Sequence, residues 1–160
     1  MDRVNKIIKN SDYQKFLNEL QKIEENRKFC RHNLSHFLDV ARIASIINLQ
    51  TNAQINPEHI YAAALLHDIG RAQPNFNETS HAAVSAKLSE KILRDCCFSE
   101  LEINYILDAI IKHGNKNFNN VKNLSEILSV ADKLSRPCYM CAMQESCFWS
   151  LEQKNLELKI

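Results

Sequence analysis

Apolar positions recur at helical spacing along most of the chain. Phe16, Leu17, Leu20 and Ile23 form one stripe, behind Ser11 and Gln14 at capping-box spacing. Phe37, Val40, Ala41, Ala44 and Ile47 form a second, which predicts a helix from about Leu34 to Leu49. Asn56 and Pro57 mark the next helix start, with Pro at the first helical position. Ile60, Tyr61, Ala62, Ala63, Ala64, Leu65, Leu66 and Ile69 follow, apolar nearly all round, as a central buried helix must be. Gly70 is expected to end it with a positive φ. Arg71 to Thr79, around Pro74, reads as a loop, and a helix is expected from about Glu78 to Cys96. Ser99 and Glu102 form a second capping box, for a helix that reaches Lys112 and stops at Gly114. Asn115 to Asn120 is a polar loop, and Lys122 to Ser135 is the last clear helix, ahead of Pro137. Cys138 to Ile160 is a less periodic tail.

Composition narrows the picture. A length of 160 residues suits one domain. Only 2 Gly and 3 Pro occur, where average usage would give about 11 and 8. That leaves too few turn residues for a sandwich or barrel, and two glycines cannot make a Walker or Rossmann fingerprint. The expected fold is therefore all-α, one domain over 1–160 with an N-terminal helix and a Cys-containing tail. The formal charge of +1 arises without any like-charge block of five, so a broad nucleic-acid-binding face is not indicated. No apolar run approaches a membrane span, and Met1 to Asn10 has no signal-peptide core. A cytoplasmic setting is expected, where the 6 Cys would be reduced and any cluster of them would read as metal or redox chemistry.

The histidines then supply candidate chemistry. His67 and Asp68 emerge together from the most apolar helix, in AAALLHDIG. A buried carboxylate needs a partner or a shifted pKa, and a metal ion suits an Asp beside a neutral imidazole. The plainer alternative is a helix-end His at the negative end of the dipole, with Asp68 capping a neighbour. His36 lies one residue before Phe37, His81 near a helix start and His113 just before Gly114; Asp132 sits inside the apolar ILSVADKL. Five segments thus each offer an imidazole or carboxylate at a helix end or inner face, the way helix bundles build metal sites. His32, one turn before His36, is a candidate neighbour of the site or of substrate. His59 is expected to be solvent-exposed.

The ordered set His36, His67-Asp68, His81, His113 and Asp132 resembles the HD superfamily of metal-dependent phosphohydrolases. The flanking words HFLDVARIA, AALLHDIGR, SHAAVSAKL, AIIKH and SVADKLSR match as well. The resemblance runs from about Cys30 to Arg136 and implies an HD-type helical bundle. It implies that His36, His67, Asp68 and Asp132 hold one metal, and that Asp68 bridges to a second held by His81 and His113. Many two-metal members carry a second His directly after the fifth ligand position, where this chain has Gly114.

Such a site, with one or two ions of iron, manganese, zinc or cobalt, would activate a hydroxide and neutralise phosphate oxygens. The expected activity is hydrolysis of a phosphate ester or phosphoanhydride in a small phosphorylated molecule, a nucleotide by preference, with His67 and Asp68 as catalytic residues. Arg71, Lys133 and Arg136 are candidates to meet phosphate. Cys138, Cys141 and Cys147 give C-x2-C-x5-C. With Cys30, which precedes the helix of His36, they are candidates for a separate zinc or iron–sulfur site; the alternative is burial as small apolar residues. Cys96 and Cys97 are expected to pack. The competing function is a non-catalytic metal-binding sensor or interaction module. Oligomeric state is not legible in the chain.

Overall fold

The computed structural model describes residues 1–73, 80–114 and 121–159. Among these are seven α-helices and no strand: α1 (Asp2–Lys9), α2 (Ser11–Ile23), α3 (Leu34–Thr51), α4 (Pro57–Leu66), α5 (His81–Asp95), α6 (Glu100–Lys112) and α7 (Leu124–Leu134). The all-α bundle read from the sequence is the fold observed. Helix α4 is its axis. Ile60 and every residue from Ala62 to Leu66 are buried, so the stretch that is apolar all round meets other helices all round. Helix α3 packs on α4 and α7, and α6 joins α5 to α7.

The starts of the helices show which local signals prevailed. Ser99 and Glu102 form the capping box expected of them. Asn123 and Glu126 form another ahead of α7, which the sequence reading had begun at Lys122 without a cap. Helix α2 begins at Ser11, but its cap is Asn10, whose side chain accepts from the N–H groups of Asp12 and Tyr13. Gln14 instead donates to the Ile8 carbonyl, so the Ser11–Gln14 box does not form. Helix α1 was missed. Val4 and Ile7 are buried there, and Arg3 joins Glu58 of α4 to Glu102 of α6. His59, expected in solvent, lies in this network 2.9 Å from Glu102, with its ring against Tyr105.

Gly70 departs from expectation in a way that matters for the site. Helix α4 ends at Leu66, and Gly70 lies in a 3-10 turn, Ile69–Ala72, without a positive φ. Its smallness is needed for packing. A Cβ there would stand 2.5 Å from the Ser85 nitrogen and 2.6 Å from the His81 carbonyl oxygen. The Gly70 N–H also donates to Ser85 Oγ at 2.9 Å. The turn after α4 is thereby pressed against the first turns of α5. Gly114 has no positive φ either, and a Cβ there would meet nothing within 4 Å among the described residues. The loops expected around Pro74 and over Asn115–Asn120, and the start expected at Glu78, lie outside the described residues.

After α7 the chain makes a short 3-10 turn, Cys138–Met140, and continues to residue 159 without another helix. Asn155, buried, fastens this tail. Its side-chain amide donates to the carbonyls of Lys133 and Arg136, at 2.6 and 3.0 Å.

Candidate metal centre

Helix ends aim the central imidazoles. His67 is the residue after α4, and its Nδ1 donates to the Ala64 carbonyl at 2.8 Å. His113 stands in the same relation to α6, with Nδ1 donating to the Ile110 carbonyl at 2.5 Å. Each ring thus satisfies a last-turn carbonyl that has no helical partner. Each bond also commits Nδ1 as a donor, which leaves Nε2 as the ring atom turned toward the centre and offered to a metal. His36 lies in the first turn of α3, where its N–H donates to the Asn33 cap. His81 opens α5, and Asp132 lies near the end of α7.

These side chains meet around two carboxylates. Asp132 Oδ1 is 3.2 Å from His36 Nε2 and 3.7 Å from His67 Nε2. Asp68 divides its two oxygens: Oδ2 is 3.4 Å from His67 Nε2, while Oδ1 is 3.3 Å from His81 Nε2. The ring of His113 stands between those of His67 and His81, with centroids 5.1 and 5.4 Å away. Two groups have ligand atoms all within 4.8 Å of one another: His36, His67, Asp68 and Asp132, and Asp68, His81 and His113. The two share Asp68, one oxygen facing each, which suits a carboxylate that bridges.

Electrostatics sort the group by charge. Burial opposes a charge on His67, but Asp68 and Asp132 outweigh it and raise its pKa to about 10. Burial lowers His36 to about 4 and His81 to about 4, and the neighbouring positive charges reinforce this. Burial lowers His113 too, with the His67 charge adding to it. Asp68 and Asp132 are held well below the usual carboxylate range. Burial opposes this, and the imidazoles and Arg71 or Arg136 overcome it. The metal-free cluster therefore carries two carboxylates and a proton centred on His67.

A divalent ion fits these residues. His67 Nε2 is buried and has no hydrogen-bond partner among the described residues, a costly condition for a polar atom. Mixed imidazole and carboxylate donors suit borderline transition metals better than calcium. Arg71 Nε donates to Asp68 Oδ1 at 2.7 Å, and its Nη2 is 3.1 Å from His81 Nε2. Arg136, buried, places Nη2 2.9 Å from His36 Nε2. The two guanidiniums thus touch ligand atoms of different sets, Arg71 at Asp68 and His81, Arg136 at His36.

The remaining candidates are distributed unevenly. Of the two cations after Asp132 that were candidates to meet phosphate, Lys133 is exposed and outside the residues that line the adjacent cavity, while Arg136 is buried and lines it. His32 is buried beside the centre, with Nε2 3.5 Å from Asp68 Oδ2. Its Nδ1 meets Glu24 Oε1 at 2.6 Å. Glu24 went unnoticed in the sequence, because a Glu after α2 carries no sign of burial. The four cysteines Cys30, Cys138, Cys141 and Cys147 line one cavity of about 200 Å³, which also touches Asp132, His32 and Arg71.

Comparison with known proteins agrees with this geometry. The HD domain pattern matches residues 33–136, and the chain belongs to that family, part of the metal-dependent phosphohydrolase superfamily. An uncharacterized protein of Clostridium beijerinckii is 42% identical over 158 residues, 99% of each chain. Ribonuclease Y of Fusobacterium nucleatum is 30% identical over 119 residues, 74% of this chain but 22% of the ribonuclease. Ribonuclease Y of Acetivibrio thermocellus is 30% identical over 94 residues, 59% of this chain and 16% of that protein. No solved structure matches. Among the described residues, no helix is long and apolar enough to cross a membrane.

Proposed function

We propose that this protein is a metal-dependent phosphohydrolase that cleaves a phosphate ester or phosphoanhydride in a small phosphorylated molecule, a nucleotide by preference. The observation that carries the reading is Asp68, buried and shared between two ligand sets, one oxygen to each. His36, His67, Asp68 and Asp132 would hold one ion, and Asp68, His81 and His113 a second. Bound there, a divalent transition metal neutralises phosphate charge and lowers the pKa of water.

The chain's own groups account for the rest. Arg71 is partly exposed beside Asp68; its guanidinium suits two phosphate oxygens at once. Arg136, which lines the same cavity, is the second cation for phosphate. His32 Nδ1 donates to Glu24, so Nε2 keeps a lone pair facing Asp68 and can take a proton from water there. The cavity beside Asp132 supplies rings as well as cations, with Phe29, Phe148 and Trp149 near Arg27 and Lys154. Such a lining favours a phosphorylated molecule with a planar base. The ribonuclease Y relatives extend the substrate panel to RNA phosphodiesters.

The test uses protein loaded with manganese, iron, zinc or cobalt in turn. The panel covers nucleotides, cyclic and linear diesters, dinucleoside polyphosphates, pyrophosphate and short RNA. His67→Ala and Asp68→Ala should each abolish metal binding and hydrolysis together. Wild-type turnover in Asp68→Ala would overturn the reading. A metal-loaded protein with no turnover on the whole panel would favour a sensor or interaction module, which the thiols beside the site make the second reading.

A further inference from the structure

Four of the six cysteines come together from two distant parts of the chain. Cys30 precedes α3, while Cys138, Cys141 and Cys147 belong to the tail, and all four line the same cavity. Several contacts hold these parts in register. Cys138 and Cys141 bracket one tight turn, in which the Cys141 N–H donates to the Cys138 carbonyl at 3.2 Å. Phe29, next to Cys30, meets Phe148, next to Cys147, edge to face at 6.0 Å. Arg136 donates to the Arg31 carbonyl at 3.0 Å, which ties the Cys30 segment to the start of the tail. Cys138 and Cys141 are near enough for their charges to bear on the Cys30 thiol.

The tail needs something of this kind. It has no helix beyond the Cys138–Met140 turn, and Phe148, Leu151 and Leu158 are exposed. A short segment without a core of its own gains a fixed shape from a cross-link or a metal. All four cysteines are free thiols. Arg27, Arg136 and Lys154 line the same cavity and offset the charge that several thiolates would bring.

We propose that Cys30, Cys138, Cys141 and Cys147 form a thiolate metal centre, separate from the His/Asp centre, that fixes the tail as a wall of the substrate cavity. The thiols surround the cavity at wider spacing than the His/Asp sets. A tetrahedral tetrathiolate site needs sulfurs about 3.8 Å apart, from a Zn–S length of about 2.3 Å. Metal binding therefore draws the tail turn and the Cys30 segment together, and each thiol gives up its proton to solvent. Four thiolates suit either one zinc ion or an iron–sulfur cluster.

The test is metal and acid-labile sulfide per chain, on protein purified anaerobically without a metal-affinity tag. Wild type is compared with Asp68→Ala, Cys141→Ser and Cys97→Ser. One zinc without sulfide, or iron matched by sulfide, should persist in Asp68→Ala and Cys97→Ser and be lost from Cys141→Ser. The Asp68→Ala arm separates this centre from the His/Asp site, so either can fail alone. Thiol titration of the wild type needs no variant. Four thiols should react only after a chelator strips the metal. Unchanged metal content in Cys141→Ser would overturn the proposal. So would four freely reactive thiols, or a mass showing them paired in disulfides.

Discussion

Gly70→Ala is expected to damage the second ligand set while sparing the first. The added Cβ would lie 2.5 Å from the Ser85 nitrogen and 2.6 Å from the His81 carbonyl oxygen. Both are backbone atoms, so no side chain can swing aside. Restoring ordinary contact, which begins near 3.4 Å, requires the turn and α5 to part by about 0.9 Å. Overpacking of this kind costs about 1–3 kcal/mol. Weakening the Gly70 N–H bond to Ser85 Oγ costs about 1 kcal/mol more. The stiffer unfolded chain returns ~0.4–1 kcal/mol. The net loss is about 2 kcal/mol, or roughly 4–8 °C in Tm for a chain of this size.

The parting carries His81 away from Asp68, since His81 belongs to the turn that the Cβ strikes. Asp68 caps the turn itself, but His36, His67 and Asp132 lie on other elements, so the first set keeps three of its four ligands in place while the second loses its alignment. Metal titration should therefore show one site near wild-type affinity and the second weakened or absent, with thermal unfolding read in excess chelator. Wild-type Tm together with two unaltered metal affinities would refute the packing argument. Loss of both sites at once would refute the claim that the sets are mechanically separable.

The remaining expectations follow from individual residues. Tyr13 is fully buried and its hydroxyl has no partner among the described residues; Tyr13→Phe should raise stability by about 1 kcal/mol in urea titration. His67 has a raised pKa of about 10, so its proton favours folding below its unfolded pKa and that contribution fades as pH rises toward 10. His36 and His81, lowered to about 4, act oppositely; the unfolded chain takes up protons they refuse, and metal-free stability falls as pH drops from about 6.5 to 4. Metal binding at the His/Asp centre at neutral pH, measured in Cys141→Ser so that the thiols take no part, should accordingly release the His67 proton, read calorimetrically in buffers of different ionisation enthalpy. Arg71→Ala should lower kcat/KM by about 10–100-fold, the worth of a hydrogen bond to a charged group, while Lys133→Ala, exposed away from the cavity, should change it less than about twofold.

The ligand set was legible because its members break the local pattern. His67 and Asp68 interrupt an apolar run, and Asp132 stands in an apolar stripe, so each asks for a partner. Glu24 breaks no pattern; its burial arises only where the chain after α2 folds back under His32. Arg136 was seen beside Lys133, but which of the two cations turns inward depends on how the chain leaves α7 after Leu134. Helix α1 was obscured because Val4, Ile7 and Ile8 are spaced among charges in a very short segment. Gly70 was read by the commonest reason for a glycine after a helix, whereas its reason is contact with α5, which no local pattern records. Asn10 prevailed over Ser11 as a cap through a one-residue difference in where α1 stops.

The bonds from His67 and His113 to the carbonyls of Ala64 and Ile110 have a consequence for how the site tolerates change. Helix closure and ring orientation are one hydrogen bond in each case, so both rings are frozen before any ion arrives, and binding need not order them. The same economy restricts replacement. Cysteine or aspartate at position 67 or 113 would still offer a donor to a metal, but neither has a second nitrogen to return to the helix. Such a substitution would lose aim and helix end in one step, which makes these two positions less exchangeable than His36, whose ring is held from outside its helix by Ser135 and Arg136.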